Sequence, residues 1–253
     1  MYQTKQNGYG TNLNSARDNY SNNGPEIYQS QTLGYQPAQQ YLGSTSLNEQ
    51  NNYFAQKNYF QREEKTHEAI TDLFLAPNRP ATPLVSEFGA IKEIMEEAYK
   101  KLTEQDFPHD AVKIFVLSEI AFKNIFTTTG NYWNEGIQGF SLNRYGYGTS
   151  EIFVRENNLD SVLLTLGHEI GHILSKPLPN LKDEEAKAHA FSIAWMNTIK
   201  DNNIAGLSPN IILNPARNGI HDAGLDIVNH LMSAGISALD AFNTLAHGLT
   251  SKL

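Results

Sequence analysis

Residues 167–174 read GHEIGHIL and place two histidines, His168 and His172, four positions apart. Four residues are slightly more than one helical turn, so on a helix both imidazoles project from one face and can bind one metal ion. Glu169 follows the first histidine and can reach a water molecule on that ion, whose pKa zinc lowers toward neutrality. The motif H-E-x-x-H therefore predicts a metal centre in which Glu169 acts as a base. The plainer alternative is a pair of surface histidines.

The flanking residues predict one amphipathic helix that begins after Asn157 and Asn158 and ends at Ser175. At about 100° per residue, the histidines lie opposite an apolar face. That face consists of Leu163, Leu166, Ile170 and Ile173. We expect it to pack into the core while the histidine face opens to a cleft. Glycine within a helix costs roughly 1 kcal/mol relative to alanine, so Gly167 and Gly171 are expected to serve close packing or access.

A catalytic zinc ion usually has three protein ligands and one water, so a third ligand must come from elsewhere in the chain. A second helix is predicted over 183–200, and its first turns carry the candidates Asp183, Glu184, Glu185 and His189. Helical periodicity does not choose between the two glutamates. A glutamate in the first turn is also favoured by the helix dipole, so one of the two is expected to be solvated.

The motif GHEIGHIL followed by E-x-x-A-x-x-F, at Glu185, Ala188 and Phe191, resembles the gluzincin-type zincin metallopeptidases, especially the ImmA/IrrE-like group. The resemblance covers about residues 86–200. It implies an α+β zincin-like domain over 62–253, in which a small mixed sheet packs on the H-E-x-x-H helix and the C-terminal part is helical. It also implies peptide-bond hydrolysis, with three zinc ligands and one general base. The ligands are His168, His172 and Glu185, and the base is Glu169.

The predicted elements before the motif also follow the order found in that group. They are a helix from Ser86, a strand over 111–117, a glycine-rich hairpin and a strand over 150–155, SEIFVR. By this resemblance SEIFVR is the edge strand along which an extended peptide substrate pairs through its main chain. Zinc, rather than another divalent metal, is expected from ligation by two histidines and one glutamate.

The first sixty residues differ in composition from the rest of the chain. They contain ten Asn, nine Gln and eight of the twelve Tyr, with few aliphatic residues, and so they cannot bury enough apolar surface to offset their ordering entropy. Residues 1–61 are therefore predicted to be a disordered tail. A segment for docking or self-association is the alternative, because tyrosine spaced through asparagine and glutamine is typical of adhesive sequences.

Charge and hydropathy exclude several classes of function. The formal net charge is −8, which argues against a nucleic-acid partner because phosphate binding needs clustered Lys and Arg. No run approaches eighteen apolar residues and no basic, then apolar, leader is present, so neither a membrane span nor a secretory signal is expected. With no Cys in the chain, these features favour a cytoplasmic location.

The sequence thus predicts a zinc metallopeptidase acting on a peptide or protein. Two alternatives stay open: a catalytically silent zincin scaffold that binds through its tail, and an ImmA/IrrE-like regulator that cleaves one specific partner protein. A group that stabilises the transition state is expected near the zinc, and the unranked candidates are Tyr145, Tyr147, His189, His221 and His230. A carboxylate that orients a ligand histidine is also expected, with Asp222 and Asp226 as candidates.

Overall fold

The structure is a computed structural model that describes residues 72–145, 147–213 and 222–248. The predicted tail, residues 1–61, lies outside the described residues, as does His221. Within these residues the chain mixes helices with short strands, as expected for the α+β class. Over the same residues, no helix combines the length and apolar character that crossing a membrane requires.

The strands all lie in the first half of the described chain, where they are interspersed with helices, and helices follow one another in the second half. The strands are β1 (Leu84–Val85), β2 (Val112–Leu117), β3 (Gly139–Leu142), β4 (Ser150–Arg155) and β5 (Asn157–Asn158). The α-helices are α1 (Lys92–Thr103), α2 (Glu119–Thr128), α3 (Leu159–Ile173), α4 (Leu181–Asp201), α5 (Ala223–Ser233) and α6 (Ala238–Ala246). Short 3-10 turns lie at Phe88–Ala90, Ile204–Gly206 and Ser208–Asn210.

The main sheet has three strands in the order β2-β4-β3, with β4 parallel to β2 and antiparallel to β3. Because successive side chains of a strand point to opposite faces, each face of β4 meets a different apolar cluster. Ile152 and Val154 belong to the main core, which includes α3 and α4. Phe153 stacks on Phe140 of β3 and joins a second, aromatic cluster with Phe122 of α2. The sheet is thus covered on both faces.

The expectation that SEIFVR forms the edge strand is wrong. This segment is β4, which pairs with β2 on one side and with β3 on the other. Its run of buried residues, Ile152 to Val154, is typical of a central strand whose two faces are both covered. The two edge strands of this sheet are β2 and β3, and β3 is the one that lies next to α3.

The H-E-x-x-H helix, α3, is buried on every side. Only His172 among its fifteen residues is more than slightly exposed. The predicted apolar face packs into the core, but the histidine face is also covered, because α4 lies against it at very short distance. A Cβ atom on Gly171 would lie 2.8 Å from the Cα of Ala188, so glycine at this position permits the close approach of the two helices.

Asp160 fixes the beginning of α3. Its carboxylate accepts hydrogen bonds from Arg79 Nε at 2.7 Å, Thr82 Oγ1 at 3.0 Å and Asn210 Nδ2 at 2.9 Å. Burial acts to raise the pKa of Asp160, but these hydrogen bonds outweigh it and hold the pKa below the usual aspartate range. One buried carboxylate therefore joins the segment before β1 and the turn after α4 to the helix that carries the histidines.

Candidate metal centre

Helices α3 and α4 bring the two motif histidines together with Glu185. The Nε2 atoms of His168 and His172 are 3.2 Å apart. His168 Nε2 lies 3.4 Å from Glu185 Oε2, and His172 Nε2 lies 3.4 Å from Glu185 Oε1. Zinc–ligand bonds of about 2.0–2.1 Å in a tetrahedral site place neighbouring ligand atoms about 3.3–3.4 Å apart. The two Nε2 atoms and the two oxygens of the Glu185 carboxylate therefore lie at separations close to those between neighbouring ligand atoms of a zinc ion.

Glu184 turns toward the other ring nitrogen of His172. Its Oε1 lies 2.9 Å from His172 Nδ1, and its Oε2 accepts hydrogen bonds from the backbone N–H of Leu178 at 2.8 Å and from Lys187 Nζ at 2.9 Å. Histidines that bind metals usually donate their second N–H to a carboxylate or carbonyl, which fixes the tautomer and the ring orientation. Glu184 is placed to orient His172, while Glu185 faces the pair of Nε2 atoms.

Both glutamates are buried, with exposed fractions of 7 % for Glu184 and 1 % for Glu185. The expectation that one of them is solvated is therefore wrong. Helical periodicity could not show this because the exposure of a first turn depends on what packs against it. Here the connection between α3 and α4 folds over the turn, and the backbone of Leu178 reaches the Glu184 carboxylate.

Lys187 is a residue of the site that sequence reasoning missed. It is fully buried, and its Nζ pairs with Glu184 and also donates to the carbonyl of His172 at 3.3 Å. Burial lowers the pKa of Lys187 against the opposing pull of the Glu184 carboxylate. A buried charge is tolerated only with such partners, so Lys187 and Glu184 support each other behind His172. The one sequence signal was a lysine within a run of small and apolar residues.

The electrostatics of the pocket suit a cation. Burial lowers the pKa of His168 to about 3, so its imidazole is neutral and keeps a lone pair for a metal. Burial acts in the same direction on His172, but the carboxylates of Glu185 and Glu184 outweigh it and raise the pKa of His172. These two carboxylates and that of Glu169 lie close to the histidines, and they favour binding of a divalent ion.

Glu169 lies beside the backbone of the edge strand. A Cβ atom on Gly139 of β3 would lie 3.1 Å from Glu169 Oε1 and 2.6 Å from the Thr165 methyl group. Glycine at this position therefore lets the strand approach the carboxylate. Glu169 is only 7 % exposed, so its charge lies in a region with little water. A carboxylate in such surroundings can exchange a proton with a neighbouring reactant.

His189 offers a second set of donors. Ligand atoms of His168, Glu185 and His189 all lie within 4.8 Å of one another, and these residues are buried. His189 Nε2, however, is 4.0 Å from Glu185 Oε2 and closer, at 3.3 Å, to Asp222 Oδ1. We favour the set with His172, because its Nε2 lies 3.2 Å from that of His168, whereas His189 Nε2 lies nearer to Asp222 than to Glu185.

The other sequence candidates lie away from this cluster or make different contacts. Tyr145, Tyr147 and His230 are exposed. Of the two aspartates expected to orient a ligand histidine, Asp222 contacts His189 and Asp226 is exposed, while Glu184 takes that position at His172.

Comparison with known proteins returned no match of any kind: no family model, no curated protein and no solved structure resembles the chain. The chemistry of the cluster alone can therefore indicate a function.

Proposed function

We propose that the protein is a zinc-dependent metallopeptidase of the gluzincin type. His168, His172 and Glu185 are the metal ligands, and Glu169 is the general base. The observation that supports this most strongly is that the two Nε2 atoms lie 3.2 Å apart and that each lies 3.4 Å from one oxygen of the Glu185 carboxylate. Three protein ligands leave one position of a tetrahedral ion available, as catalytic zinc sites require.

Zinc, when bound, supplies a Lewis acid that polarises the scissile carbonyl and makes a water more acidic. The Glu169 carboxylate takes a proton from the attacking water as its oxygen bonds to the carbonyl carbon. The same carboxyl group then passes the proton to the departing amide nitrogen as the C–N bond breaks. Glu184 and Lys187 keep His172 in one orientation throughout these steps.

The edge strand β3 is suited to hold the substrate. With β4 central, β2 and β3 each have one partner in the described part of the chain, and of the two it is β3 whose Gly139 lies beside Glu169. A peptide that extends the sheet along β3 runs past Gly139 and hence past the Glu169 carboxylate. Main-chain hydrogen bonds supply affinity in this mode of binding, with little dependence on side-chain sequence.

The test compares wild type with Glu169→Gln, measuring zinc content and cleavage of a mixed peptide library. We expect one zinc per chain in both proteins and a loss of cleavage of at least about 100-fold in the variant, because general-base catalysis contributes that much. Glu93→Gln, at an exposed position of α1, is the matched control and is expected to cleave like wild type.

Two outcomes would contradict the proposal. Absence of zinc from the wild type would show that the cluster does not bind this metal. Zinc in both proteins with no cleavage by either would instead favour a binding scaffold that has kept the centre without the reaction.

A further inference from the structure

The beginning of α5 packs directly on the backbone that carries Glu185. A Cβ atom on Gly224 would lie 2.8 Å from both Glu185 Cβ and the backbone nitrogen of Ala186. Glycine at 224 therefore permits a contact that no other residue type could make without a shift. The first turn of α5 is thus part of the wall around the candidate metal centre. It begins 38 residues after Glu185 in the sequence.

Asp222 stands at the N-cap of this helix and has two contacts. Its Oδ1 accepts a hydrogen bond from the backbone N–H of Leu225 at 2.7 Å, and the same oxygen lies 3.3 Å from His189 Nε2. Asp222 and His189 are both buried, with exposed fractions of 7 % and 4 %. The imidazole of His189 therefore lies beside a buried aspartate whose own position is fixed by the hydrogen bond from the backbone of α5.

His189 Nε2 also lies 4.0 Å from Glu185 Oε2, one helical turn away on α4. A ligand carboxylate has two oxygens, and the outer contacts of that group set its orientation toward the metal. His172 has such an outer contact in Glu184 at 2.9 Å, and the imidazole of His189 lies in the corresponding place beside Glu185, at 4.0 Å. The two carboxylates, Asp222 and Glu185, thus face one imidazole nitrogen.

We infer that Asp222 and His189 form a positioning pair for the Glu185 carboxylate, so that the N-terminus of α5 controls how tightly the centre holds its metal. This inference rests on the proposed zinc site. Asp222 fixes the ring of His189 with Nε2–H between the two carboxylates, and His189 restrains Oε2 of Glu185. Direct ligation by His189 is the competing arrangement, and the 4.0 Å separation and the contact with Asp222 speak against it.

The experiment uses the full-length chain and three variants: Asp222→Asn, His189→Gln and Asp226→Asn. Asparagine caps a helix about as well as aspartate, so the Leu225 contact is kept. The amide oxygen that keeps this cap also faces His189 Nε2, but it carries no charge, so its hold on the imidazole is weaker. Asp226→Asn removes the same charge from an exposed position in the same helical turn and is the matched control.

Zinc affinity is measured by competition with a chelator, and the metal-free stability of each variant is measured by urea unfolding. We expect Asp222→Asn and His189→Gln each to weaken zinc binding by about 10- to 100-fold, while Asp226→Asn leaves it unchanged. A fourth variant that combines Asp222→Asn with His189→Gln is expected to bind zinc no more weakly than the weaker of the two single variants, since the two residues act as one unit. Cobalt substituted for zinc is expected to show altered visible absorption in both single variants.

Three results would overturn the inference. Unchanged affinity in both variants would show that Asp222 is a helix cap and no more. If each variant lost zinc affinity only in proportion to its loss of stability in the metal-free state, Asp222 and His189 would have a structural role and would not position Glu185. An altered cobalt spectrum in His189→Gln but not in Asp222→Asn would show direct ligation. Failure of the wild type to bind zinc would be a separate outcome, which contradicts the proposed function itself.

Discussion

The indole ring of Trp195 lies against Gly167, the residue before the first motif histidine. A Cβ atom at position 167 would be 2.7 Å from Trp195 Cγ and closer still to Cδ1. Trp195 is fully buried, and its Nε1 donates a hydrogen bond to the carbonyl of Leu163 at 2.9 Å, so the ring has little freedom to move. This contact and the one at Gly171 set the distance between α3 and α4, and with it the reach of Glu185 to the histidines.

Gly167→Ala is expected to lower the free energy of unfolding by about 1–3 kcal/mol, the usual cost of overpacking a core. Urea unfolding of the metal-free protein measures this change. Gly89→Ala is the control, because nothing lies within 4 Å of a Cβ atom at that position. Equal free energies of unfolding for the two variants would contradict the tight contact between α3 and α4.

The two adjacent glutamates are expected to differ in their effect on zinc. Glu185→Ala removes a ligand and is expected to abolish stoichiometric zinc binding. Glu184→Gln is expected to keep one zinc per chain with an affinity about 10- to 100-fold weaker, as found for outer contacts of ligand histidines. Glutamine is chosen because it can still accept hydrogen bonds near buried Lys187. Chelator competition measures the zinc affinity of both variants. A larger loss in Glu184→Gln than in Glu185→Ala would mean that Glu184 is the ligand and Glu185 the outer contact.

Gly139→Ala tests the position of the edge strand. The added methyl group meets Thr165 Cγ2 and the Glu169 side chain, so the strand or the carboxylate must shift. We expect kcat for peptide cleavage to fall by at least about tenfold while zinc remains bound, because catalysis depends on placement within about an ångström.

The double variant Gly139→Ala with Thr165→Ser distinguishes an effect of Gly139→Ala on stability from its effect on kcat. Serine removes the methyl group that lies nearest to the added Cβ, but the contact with Glu169 remains. The double variant is expected to recover stability and to stay impaired in kcat. Full activity in Gly139→Ala alone would mean that the strand does not restrain the base.

Asp160 is expected to make stability depend on pH in the acid range. Its pKa is held below the ordinary value of 3.8 in the folded protein, so between the two values the unfolded chain binds more protons. The stabilisation is complete above pH 3.8 and is lost as the pH falls through the folded pKa. Asp160→Asn is expected to lower the free energy of unfolding at pH 7 by about 2 kcal/mol and to remove this part of the acid dependence.

Urea unfolding at a series of pH values from neutral to acid measures that dependence. Asp201→Asn, at an exposed position near the end of α4, is the control. An unchanged acid dependence in Asp160→Asn would mean that other carboxylates carry the effect.

Local pattern located the longer helices and strands within a few residues, but it did not predict the two-residue strands β1 and β5. SEIFVR coincides with β4, and the helix predicted over 183–200 is α4, Leu181–Asp201. The place of β4 in the sheet was not accessible in this way, because strand order follows from contacts between distant segments. The disorder of residues 1–61 stays a prediction.

The candidate metal centre could be predicted from the sequence only for those of its residues that lie in one motif. His168, Glu169 and His172 belong to one helical stripe, so their proximity follows from the repeat of the helix. The choice between Glu184 and Glu185 depends on how α4 is rotated against α3, which the contacts at Gly167 and Gly171 determine. Lys187 gave no periodic signal, since a buried lysine and a surface lysine look alike in sequence.

All three proposed ligands lie between positions 168 and 185, in two consecutive helices. The entropy lost in closing a loop grows with its length, and contacts close in sequence form fastest. The hairpin of α3 and α4 can therefore assemble its ligands before the sheet or the C-terminal helices are in place. Asp222 joins later in the chain, so we expect a nascent protein to acquire a loosely held ion first and to tighten its hold once α5 has docked.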